Sequence, residues 1–417
     1  MNRYKIEGGN KLRGSIDIHG AKNAALPILA ACVINNGKSV IHNCPDLTDI
    51  QNTIEILNLL GCTADRCGTT LTVDSSKLCH CNIPKDIMIK TRSSTIFAGA
   101  LAARCKKTFI AGHGGCQIGS RPIDIHLDSF RILGMEIKED SDGVTCLSDK
   151  IKPCTVNLRF PSVGATENIM LASSLTPGKT TIINAAKEPE IQNLADFLRS
   201  MGVRITGDGT GIISIWGTDS PKNAEVTVIP DRIVASSFLA AALVTKSTIT
   251  INNINPRHLS FFIATVRKMG ASLSVGENSV AVYGADRLEN IPYVSTAPYP
   301  GFPTDSQALL ASVMSISNGL GIIRESIFEN RFGHCAELSK MGADIEIEKG
   351  FACIKGVKKL KGAELVSCDL RCGAALCVAA LGAEGTSYVS NVHYIDRGYE
   401  NLCLSLKNLG AKIERTE

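Results

Sequence analysis

Hydrophobic and polar positions along the chain recur in a six-fold cycle. Leu or Met followed by Gly returns with glycines at Gly61, Gly134, Gly202, Gly270, Gly342 and Gly410, spaced by 73, 68, 68, 72 and 68 residues. A helix-like apolar stretch precedes each one (54–60, 130–133, 194–201, 263–269, 338–341 and 404–409). Alternating apolar residues follow, as in Ala343-Asp344-Ile345-Glu346-Ile347, and predict strands. Glycine suits the end of a helix because it adopts the left-handed conformation without a Cβ clash. A second marker runs in step with the first. Apolar, Ala-rich helices are predicted to begin after short polar starts at Lys22, Arg92, Ser162, Arg232, Asp305 and Arg371, with spacings of 70, 70, 70, 73 and 66. Each unit of about 70 residues therefore reads strand, helix, strand, helix, strand, strand, and six such units make an α/β protein.

The start residues form a pattern of their own: Lys22-Asn23, Arg92-Ser93, Ser162, Asp231-Arg232, Thr304-Asp305 and Asp369-Leu370-Arg371. Free amides and a partial positive charge make helix N-termini anion-binding. Added Lys and Arg would turn six converging starts into a cationic focus. On any one helix, ordinary capping explains the same residues, and both readings stay open at this level.

Composition narrows the classes. With 417 residues, two or more domains are expected. Hydrophobic residues at 44% and charged residues at 20% are ordinary for a globular chain, and 5% aromatics imply a core of Ala, Leu, Ile and Val. A net charge of +4 is too mild to imply a nucleic-acid or membrane partner. Residues 1–13 are polar, and the longest uncharged apolar stretches, near 24–34 and 373–383, are too short to span a bilayer, so a cytoplasmic protein is expected. No two of the 16 cysteines form a C-x-x-C pair, so zinc and redox signatures are absent, and reduced thiols without metal or cofactor are expected.

Several catalytic motifs fail. A P-loop needs glycine five residues before Gly-Lys-Ser/Thr, but Gly37-Lys38-Ser39 has Cys32 there and Gly178-Lys179-Thr180 has Ser173. The run Gly207-Asp208-Gly209-Thr210-Gly211-Ile212 lacks the last glycine of a dinucleotide fingerprint. Neither H-E-x-x-H nor Gly-x-Ser-x-Gly occurs. Three segments remain as candidates. Gly112-His113-Gly114-Gly115-Cys116-Gln117-Ile118-Gly119-Ser120-Arg121-Pro122-Ile123-Asp124 puts a cysteine beside an arginine on a glycine-rich loop that leads into a helix. Such a setting allows a tuned thiol, although a surface hairpin with an incidental cysteine fits the segment as well. Phe160-Pro161-Ser162-Val163-Gly164-Ala165-Thr166 combines a helix cap with a glycine that a ligand can approach. The third cluster mixes acids and arginines: Asp305, Glu329, Arg331, Asp369, Arg371 and Arg397.

Read together, these segments resemble the UDP-N-acetylglucosamine 1-carboxyvinyltransferases. The resemblance rests on Gly20-Ala21-Lys22-Asn23-Ala24-Ala25-Leu26-Pro27, Gly114-Gly115-Cys116 with Ile118-Gly119 and Arg121-Pro122, Ser162-Val163-Gly164-Ala165-Thr166 and Pro230-Asp231-Arg232-Ile233. Phe302-Pro303-Thr304-Asp305, Ile327-Phe328-Glu329-Asn330-Arg331-Phe332, Asp369-Leu370-Arg371 and Ile395-Asp396-Arg397-Gly398-Tyr399-Glu400 complete it, so it runs end to end. It implies an enolpyruvyl transferase fold, a two-domain inside-out α/β barrel with three repeats per domain. One domain would be residues 22–229 and the other 1–21 plus 230–417, with the site in the cleft and the Cys116 loop as its lid.

The implied reaction moves the enolpyruvyl group of phosphoenolpyruvate to the 3-hydroxyl of UDP-N-acetylglucosamine, the first committed step of peptidoglycan synthesis. By the resemblance, Lys22, Asn23, Arg121 and Arg397 would bind phosphoenolpyruvate, supported by Arg331, Asp369 and Arg371. Cys116 would be the general acid and Asp305 the base. Asn23, Arg92, Arg121, Pro122, Ile123, Asp124, Ile125, Ser162, Val163, Gly164, Asp305 and Ile327 would line the UDP-sugar site. Alkylation of Cys116 by fosfomycin is a further expectation. Two positions depart from the pattern: Phe160 stands where some members carry Lys, and Val234 where an acidic residue is expected. The nearest rival, the shikimate-pathway enolpyruvyl transferase, should lack the Gly-Gly-Cys segment and carry Lys-Ser in place of Lys22-Asn23. A UDP-sugar-binding paralogue without catalysis is the rival of another class, and the presence of Lys22, Cys116, Asp305 and Arg397 speaks against it.

Overall fold

The computed structural model describes residues 2–84, 87, 95–111, 123–285 and 287–416. The predicted helix start at Arg92 and the segment 112–122, with Cys116, Arg121 and Pro122, lie outside the described residues. Contacts divide the described residues into two compact units, one within Met1–His19 and Pro230–Glu417, the other within Gly20–Gly115 and Arg121–Ile229. Each has its own hydrophobic core.

Twelve α-helices occur among the described residues, two for each of the six repeats. They are α1 Lys22–Ala31, α2 Thr48–Leu59, α3 Phe97–Cys105, α4 Asp124–Ile132, α5 Val163–Ser173, α6 Pro189–Ser200, α7 Arg232–Val244, α8 Ser260–Lys268, α9 Gln307–Met314, α10 Gly333–Lys340, α11 Leu370–Gly382 and α12 Leu402–Asn408. The first helix of each repeat is largely apolar and buried around most of its circumference, and such a helix is stable only inside a protein. All residues of α7 are buried, and so is α11 from Arg371 to Leu381. In one unit α7, α9 and α11 pack against one another, and in the other α3 packs between α1 and α5. Small residues permit the close approach: a Cβ on Gly99 of α3 would lie 2.3 Å from the Asn168 carbonyl oxygen of α5.

The second helix of each repeat ends as the pattern predicts. Gly61, Gly134, Gly202, Gly270, Gly342 and Gly410 all have φ between 88° and 100°. After each glycine the chain turns back identically. Cys62, Met135, Val203, Ala271, Ala343 and Ala411 donate their backbone N–H groups to Leu57, Phe130, Leu198, Val266, Leu338 and Leu406, a six-to-one bond with an apolar residue at both ends. This is the Schellman closure, which satisfies carbonyl groups the helix leaves open.

Six sheets surround the apolar helices with alternating burial. In Thr155–Asn157, Lys179–Ile183, Ile212–Trp216 and Arg204–Thr206, given in spatial order, the first pair is parallel and the other two antiparallel. The other four-stranded sheets repeat that order, and three strands of the remaining sheet are described. The sheets stay separate, and among the described residues none closes into a barrel.

Strands from distant parts of the chain complete both units. Arg3–Glu7 pairs antiparallel with Thr386–Ser390 and with Lys412–Thr416, setting Ile6 opposite Ser387 and Ile413. Arg13–Asp17 pairs parallel with Thr248–Asn252, so the N-terminal segment joins two sheets of the unit that holds the C-terminal half. In the other unit Ala224–Thr227 returns to pair parallel with Lys38–His42.

Candidate active site

In the unit containing residues 230–416, three buried helices begin at the flagged residues. Asp231 caps α7, its Oδ1 accepting from Ile233 N at 2.8 Å and Val234 N at 3.0 Å. Asp369 caps α11 in the same way, through Arg371 N at 2.7 Å and Cys372 N at 3.0 Å. The third start differs from expectation. After Pro303 the chain makes a 3-10 turn, Thr304–Ser306, and α9 follows only at Gln307, so Asp305 sits on the turn ahead of the helix.

That turn carries Asp305 between two arginines. Its Oδ1 accepts from Arg331 Nη2 at 2.5 Å and lies 3.4 Å from Arg371 Nε, and its Oδ2 accepts from Arg371 Nη2 at 3.5 Å. Arg232, Arg331 and Arg371 are 8, 6 and 7% exposed, while the Asp305 side chain retains 26%. Burial by itself would raise the Asp305 carboxyl. The charges of Arg371 and Arg331, the Arg331 hydrogen bond and the more distant Arg232 outweigh it and hold the group well below the usual carboxylate range. Arg371 Nη1 is buried with no hydrogen-bond partner among the described residues. A buried donor without an acceptor is costly, and an anionic ligand would supply the acceptor.

Glu325 braces the same corner. Its Oε1 accepts from Thr296 Oγ1 at 2.9 Å, Ile327 N at 2.8 Å and Phe328 N at 3.2 Å, and its Oε2 from Thr304 Oγ1 at 2.8 Å. Arg331 Nη1 donates to that same Thr304 Oγ1 at 3.1 Å. One carboxylate thus locks the Asp305 turn to the Ile327 segment. Arg397 ends the 3-10 turn Val392–Arg397, half-buried. Behind Arg331, His334 is fully buried; burial pushes it down to about 4, against the pull of Asp369 and together with the Arg331 charge.

The unit containing residues 20–229 carries the other described candidates. Lys22 opens α1, and its Nζ meets Asp49 Oδ2 of α2 at 3.0 Å, the two side chains being 12% and 5% exposed. Asn23 follows, half-buried. Ser162 caps α5 by accepting from Ala165 N at 3.3 Å, and Val163 and Gly164 form the first turn. A Cβ on Gly164 would stand 3.0 Å from His126 Cε1, so the His126 ring lies directly against this turn. Asp124 opens α4 between Ile123 and Ile125, with Oδ1 accepting from Ile125 N at 2.8 Å. Its other oxygen pairs with Arg159, which also reaches Asp128 at 3.3 Å.

Asn168 joins three helices here. Its Oδ1 accepts from Gly99 N at 2.6 Å, capping α3, whose own N-cap side chain makes no such bond. Its Nδ2 points to Thr95 O at 3.1 Å, Gly164 O at 3.2 Å and His126 Nδ1 at 3.0 Å. With the amide oxygen committed to an N–H, Nδ2 is the donor, and its two hydrogens are shared among these three neighbours. Glu167, one residue earlier, is buried. That burial, with the nearby Glu190 and Glu188 charges, raises its carboxyl well above the ordinary value.

The fold therefore brings together Asp305, Arg331 and Arg371, with Asp369 as a cap, and separately sets the Ser162–Gly164 turn against His126 of α4, the helix that Asp124 opens. Lys22 adds a partner, Asp49, that sequence reasoning missed. Glu325, Asn168 and His126 were missed as well. Only Asp49 had a local signal, an acid in the first turn of a helix. Both departures have a structural setting: Phe160 is exposed next to Arg159, which pairs with Asp124 and Asp128, and Val234 is buried within α7. Among the described residues, no three His, Cys, Asp or Glu are arranged to hold a metal, and no helix is long and apolar enough to cross a membrane.

Comparison with known proteins agrees with this architecture. Residues 6–406 match the EPSP synthase (3-phosphoshikimate 1-carboxyvinyltransferase) family. The chain is 47% identical to UDP-N-acetylglucosamine 1-carboxyvinyltransferase 2 of Caldanaerobacter subterraneus subsp. tengcongensis over 415 residues, covering 100% of both chains. It is 41% identical to UDP-N-acetylglucosamine 1-carboxyvinyltransferase 1 of Carboxydothermus hydrogenoformans, covering 100% and 98%. Among solved structures, the enolpyruvyl transferase NikO from Streptomyces tendae superposes with a TM-score of 0.90 at 27% identity, covering 100% of this chain and 99% of that one. An EPSP synthase from Acinetobacter baumannii shares the fold at 0.77 and 16% identity, covering 100% of both chains. The chain belongs to the EPSP synthase family of carboxyvinyl transferases and, within it, to the UDP-N-acetylglucosamine 1-carboxyvinyltransferases.

Proposed function

We propose that the chain transfers the enolpyruvyl group of phosphoenolpyruvate to the 3-hydroxyl of UDP-N-acetylglucosamine, releasing phosphate. One observation carries the reading. Asp305 lies against two buried guanidinium groups, one with an unmatched N–H, in a chain that aligns along its whole length with enzymes named for this reaction. In the addition, the sugar oxygen bonds to C2 of phosphoenolpyruvate, Asp305 takes the hydroxyl proton, and Cys116 gives a proton to C3. In the elimination, the C2–O bond to phosphate breaks and C3 returns a proton, leaving the enolpyruvyl ether. Phosphoenolpyruvate brings a phosphate and a carboxylate, and Lys22, Arg121 and Arg397, with Arg331 and Arg371, are the cations assigned to them. Asn23, Arg92, Arg121, Pro122, Ile123, Asp124, Ile125, Ser162, Val163, Gly164, Asp305 and Ile327 are assigned to the UDP-sugar.

The electrostatics of Asp305 add a condition. A carboxylate pinned by Arg331 and Arg371 has little affinity for a proton, and a base works best near the operating pH. Phosphoenolpyruvate anions drawing on those guanidiniums would free Asp305 to act. We place the reaction in the cytoplasm; every described cysteine is a free thiol, which fits a reducing compartment.

Phosphate release from phosphoenolpyruvate, measured with UDP-N-acetylglucosamine and separately with shikimate 3-phosphate, tests the reading. Turnover with the nucleotide sugar alone, collapsing in Cys116→Ser, is expected. The description of the matched family favours shikimate 3-phosphate as the second reading, and turnover with it would overturn the acceptor while leaving the reaction. Binding of UDP-N-acetylglucosamine without any phosphate release would refute catalysis.

A further inference from the structure

Glu325 follows the strand Leu320–Arg324, which pairs in parallel with Tyr293–Ser295, and its own N–H is fixed on Gly350 O at 2.9 Å. Thr296 ends the neighbouring strand segment, with its N–H on Arg324 O at 2.9 Å and its hydroxyl on Glu325 Oε1. Glu325 is only 8% exposed, yet the described partners of its side chain are all neutral donors. They are the hydroxyls of Thr296 and Thr304 and the backbone N–H groups of Ile327 and Phe328. A buried carboxylate is a costly brace where an amide of the same shape exists, and what sets it apart is that it only accepts.

That property gives a direction to a chain of hydrogen bonds. Thr304 has one hydroxyl hydrogen and gives it to Glu325 Oε2 at 2.8 Å, so its oxygen is left to accept from Arg331 Nη1 at 3.1 Å. The other end of the guanidinium, Nη2, donates to Asp305 Oδ1 at 2.5 Å. Arg331 also stands over the Phe328 ring, 5.1 Å from its centroid, and Phe328 N is one of the Glu325 donors. Thr304, Phe328 and Asp305 thus orient the Arg331 guanidinium, and Glu325 holds the first two. A guanidinium anchored at Thr304 and laid on Phe328 presents Nη2 to Asp305 at a fixed point.

We propose that Glu325 is a positioning residue for the enolpyruvyl transfer, aiming Arg331 at Asp305 through Thr304 and Phe328 while holding the Ile327 segment by its backbone. Glu325 acts on the reacting atoms only through these neighbours, and its two oxygens serve separable arms. The Oε2 arm runs through Thr304 to the base and is read in kcat. The Oε1 arm holds Ile327 and Phe328 and is read also in the KM for the UDP-sugar. This role rests on the reading of Asp305, Arg331 and Ile327 given above.

Phosphate release by the full chain, with each substrate varied in turn, tests the two arms, and urea denaturation checks that each variant is folded. Thr304→Val should lower kcat by about 10- to 10²-fold, up to the scale of an ångström-level misplacement, with the KM for UDP-N-acetylglucosamine unchanged. Thr304→Ser, which keeps the hydroxyl, should restore kcat. Glu325→Gln keeps the shape and an oxygen for Thr296, Ile327 and Phe328, but it turns an NH2 donor toward Thr304. It should therefore lose kcat as Thr304→Val does, whereas a residue that only braces the fold would tolerate the change. Glu325→Ala should add a rise in the KM for UDP-N-acetylglucosamine, because Ile327 N and Phe328 N lose their acceptor. Unchanged kcat in folded Thr304→Val and Glu325→Gln, or an equal loss in Thr304→Ser and Thr304→Val, overturns the proposal. A KM rise in Thr304→Val as large as that in Glu325→Ala overturns the separation of the arms. A wild type that releases no phosphate overturns the reaction and this role together, while an active wild type beside unaffected variants overturns the role alone.

Discussion

Replacing Asp305 with Asn tests the centre of the site in both stability and catalysis. The substitution keeps the shape but leaves Arg331 and Arg371, 6 and 7% exposed, facing each other without a counter-charge. Breaking a buried ion pair typically costs about 3–5 kcal/mol. The Asp305 side chain keeps 26% of its surface in water, and an amide oxygen still accepts one hydrogen bond, so about 2–3 kcal/mol is expected here. The pH dependence has a definite sign. A carboxyl held below its unfolded value contributes stability that is present above the unfolded value, near 4, and lost as pH falls through the folded one. The gap between wild type and Asp305→Asn should therefore be full at pH 7 and narrow in acid. Inorganic phosphate should recover more stability in the variant than in wild type, since it can replace the missing negative charge. Urea denaturation followed by circular dichroism reads these quantities. Phosphate release should fall by about 10³-fold, within the range for loss of a general base. A variant within about 0.5 kcal/mol of wild type at pH 7, the size of an ordinary surface change, would refute the electrostatic reasoning. Retained turnover would separately refute Asp305 as the base.

Other consequences can be measured independently. His334 sits at about 4 when folded and 6.5 when unfolded, so the unfolded chain binds its proton first as pH falls. Stability should then drop by about 1.4 kcal/mol per pH unit below 6.5, or about 2 kcal/mol at pH 5, and His334→Asn should remove that slope; an unchanged slope excludes His334 as its source. At Gly202, with φ of 100° and nothing within 4 Å of an added Cβ, Ala should cost about 1–2 kcal/mol of backbone strain. At Gly356 an added Cβ would lie 1.5 Å from the Ser317 carbonyl oxygen, so Ala there should cost more, and equal losses on thermal unfolding would contradict the geometry. Asn168→Ala should cost about 3 kcal/mol by orphaning Gly99 N–H and releasing the Gly164 turn. It should also raise the KM for UDP-N-acetylglucosamine more than it lowers kcat, and the reverse split would detach this network from sugar binding.

Features that depend on a few consecutive residues were legible in the sequence. A Leu or Met before Gly, with an apolar residue after it, contains everything a Schellman closure needs, and all six form. Lys22, Ser162, Arg232 and Arg371 likewise occupy helix starts, because capping is decided within one turn. Pairings over long separations were not legible. Nothing in Arg3–Glu7 announces that it lies between Thr386–Ser390 and Lys412–Thr416, and strand periodicity says which face is buried without naming a neighbour. The site divides in the same way. Asp305 and the arginines stand out by residue type, but Asp49, Glu325 and Asn168 matter through partners 27, 29 and 69 residues away. The shift of Asp305 from helix start to preceding turn has a local cause in Pro303, which favours an extended residue before the turn.

The two kinds of helix end explain why chemistry gathers where it does. A helix buried on every side cannot leave its terminal N–H groups to water, so something polar must accompany its start into the interior. Asp231 and Asp369 do this by capping with a carboxylate, and Asn168 does it for a neighbouring helix by reaching across to Gly99. A carboxylate held there favours a nearby cation, and Arg232 and Arg371 each follow their capping acid within two residues, buried along with it. Buried guanidiniums then call for an anion, met by Asp305 on one side and, for Arg371 Nη1, by no protein group among the described residues. The C-termini of the second helices pose no such demand on side chains, because a glycine and backbone bonds close them identically six times over. In this repeat, therefore, the C-terminal closures of the second helices can remain uniform while the buried starts diverge, and the starts are where buried guanidinium charge collects.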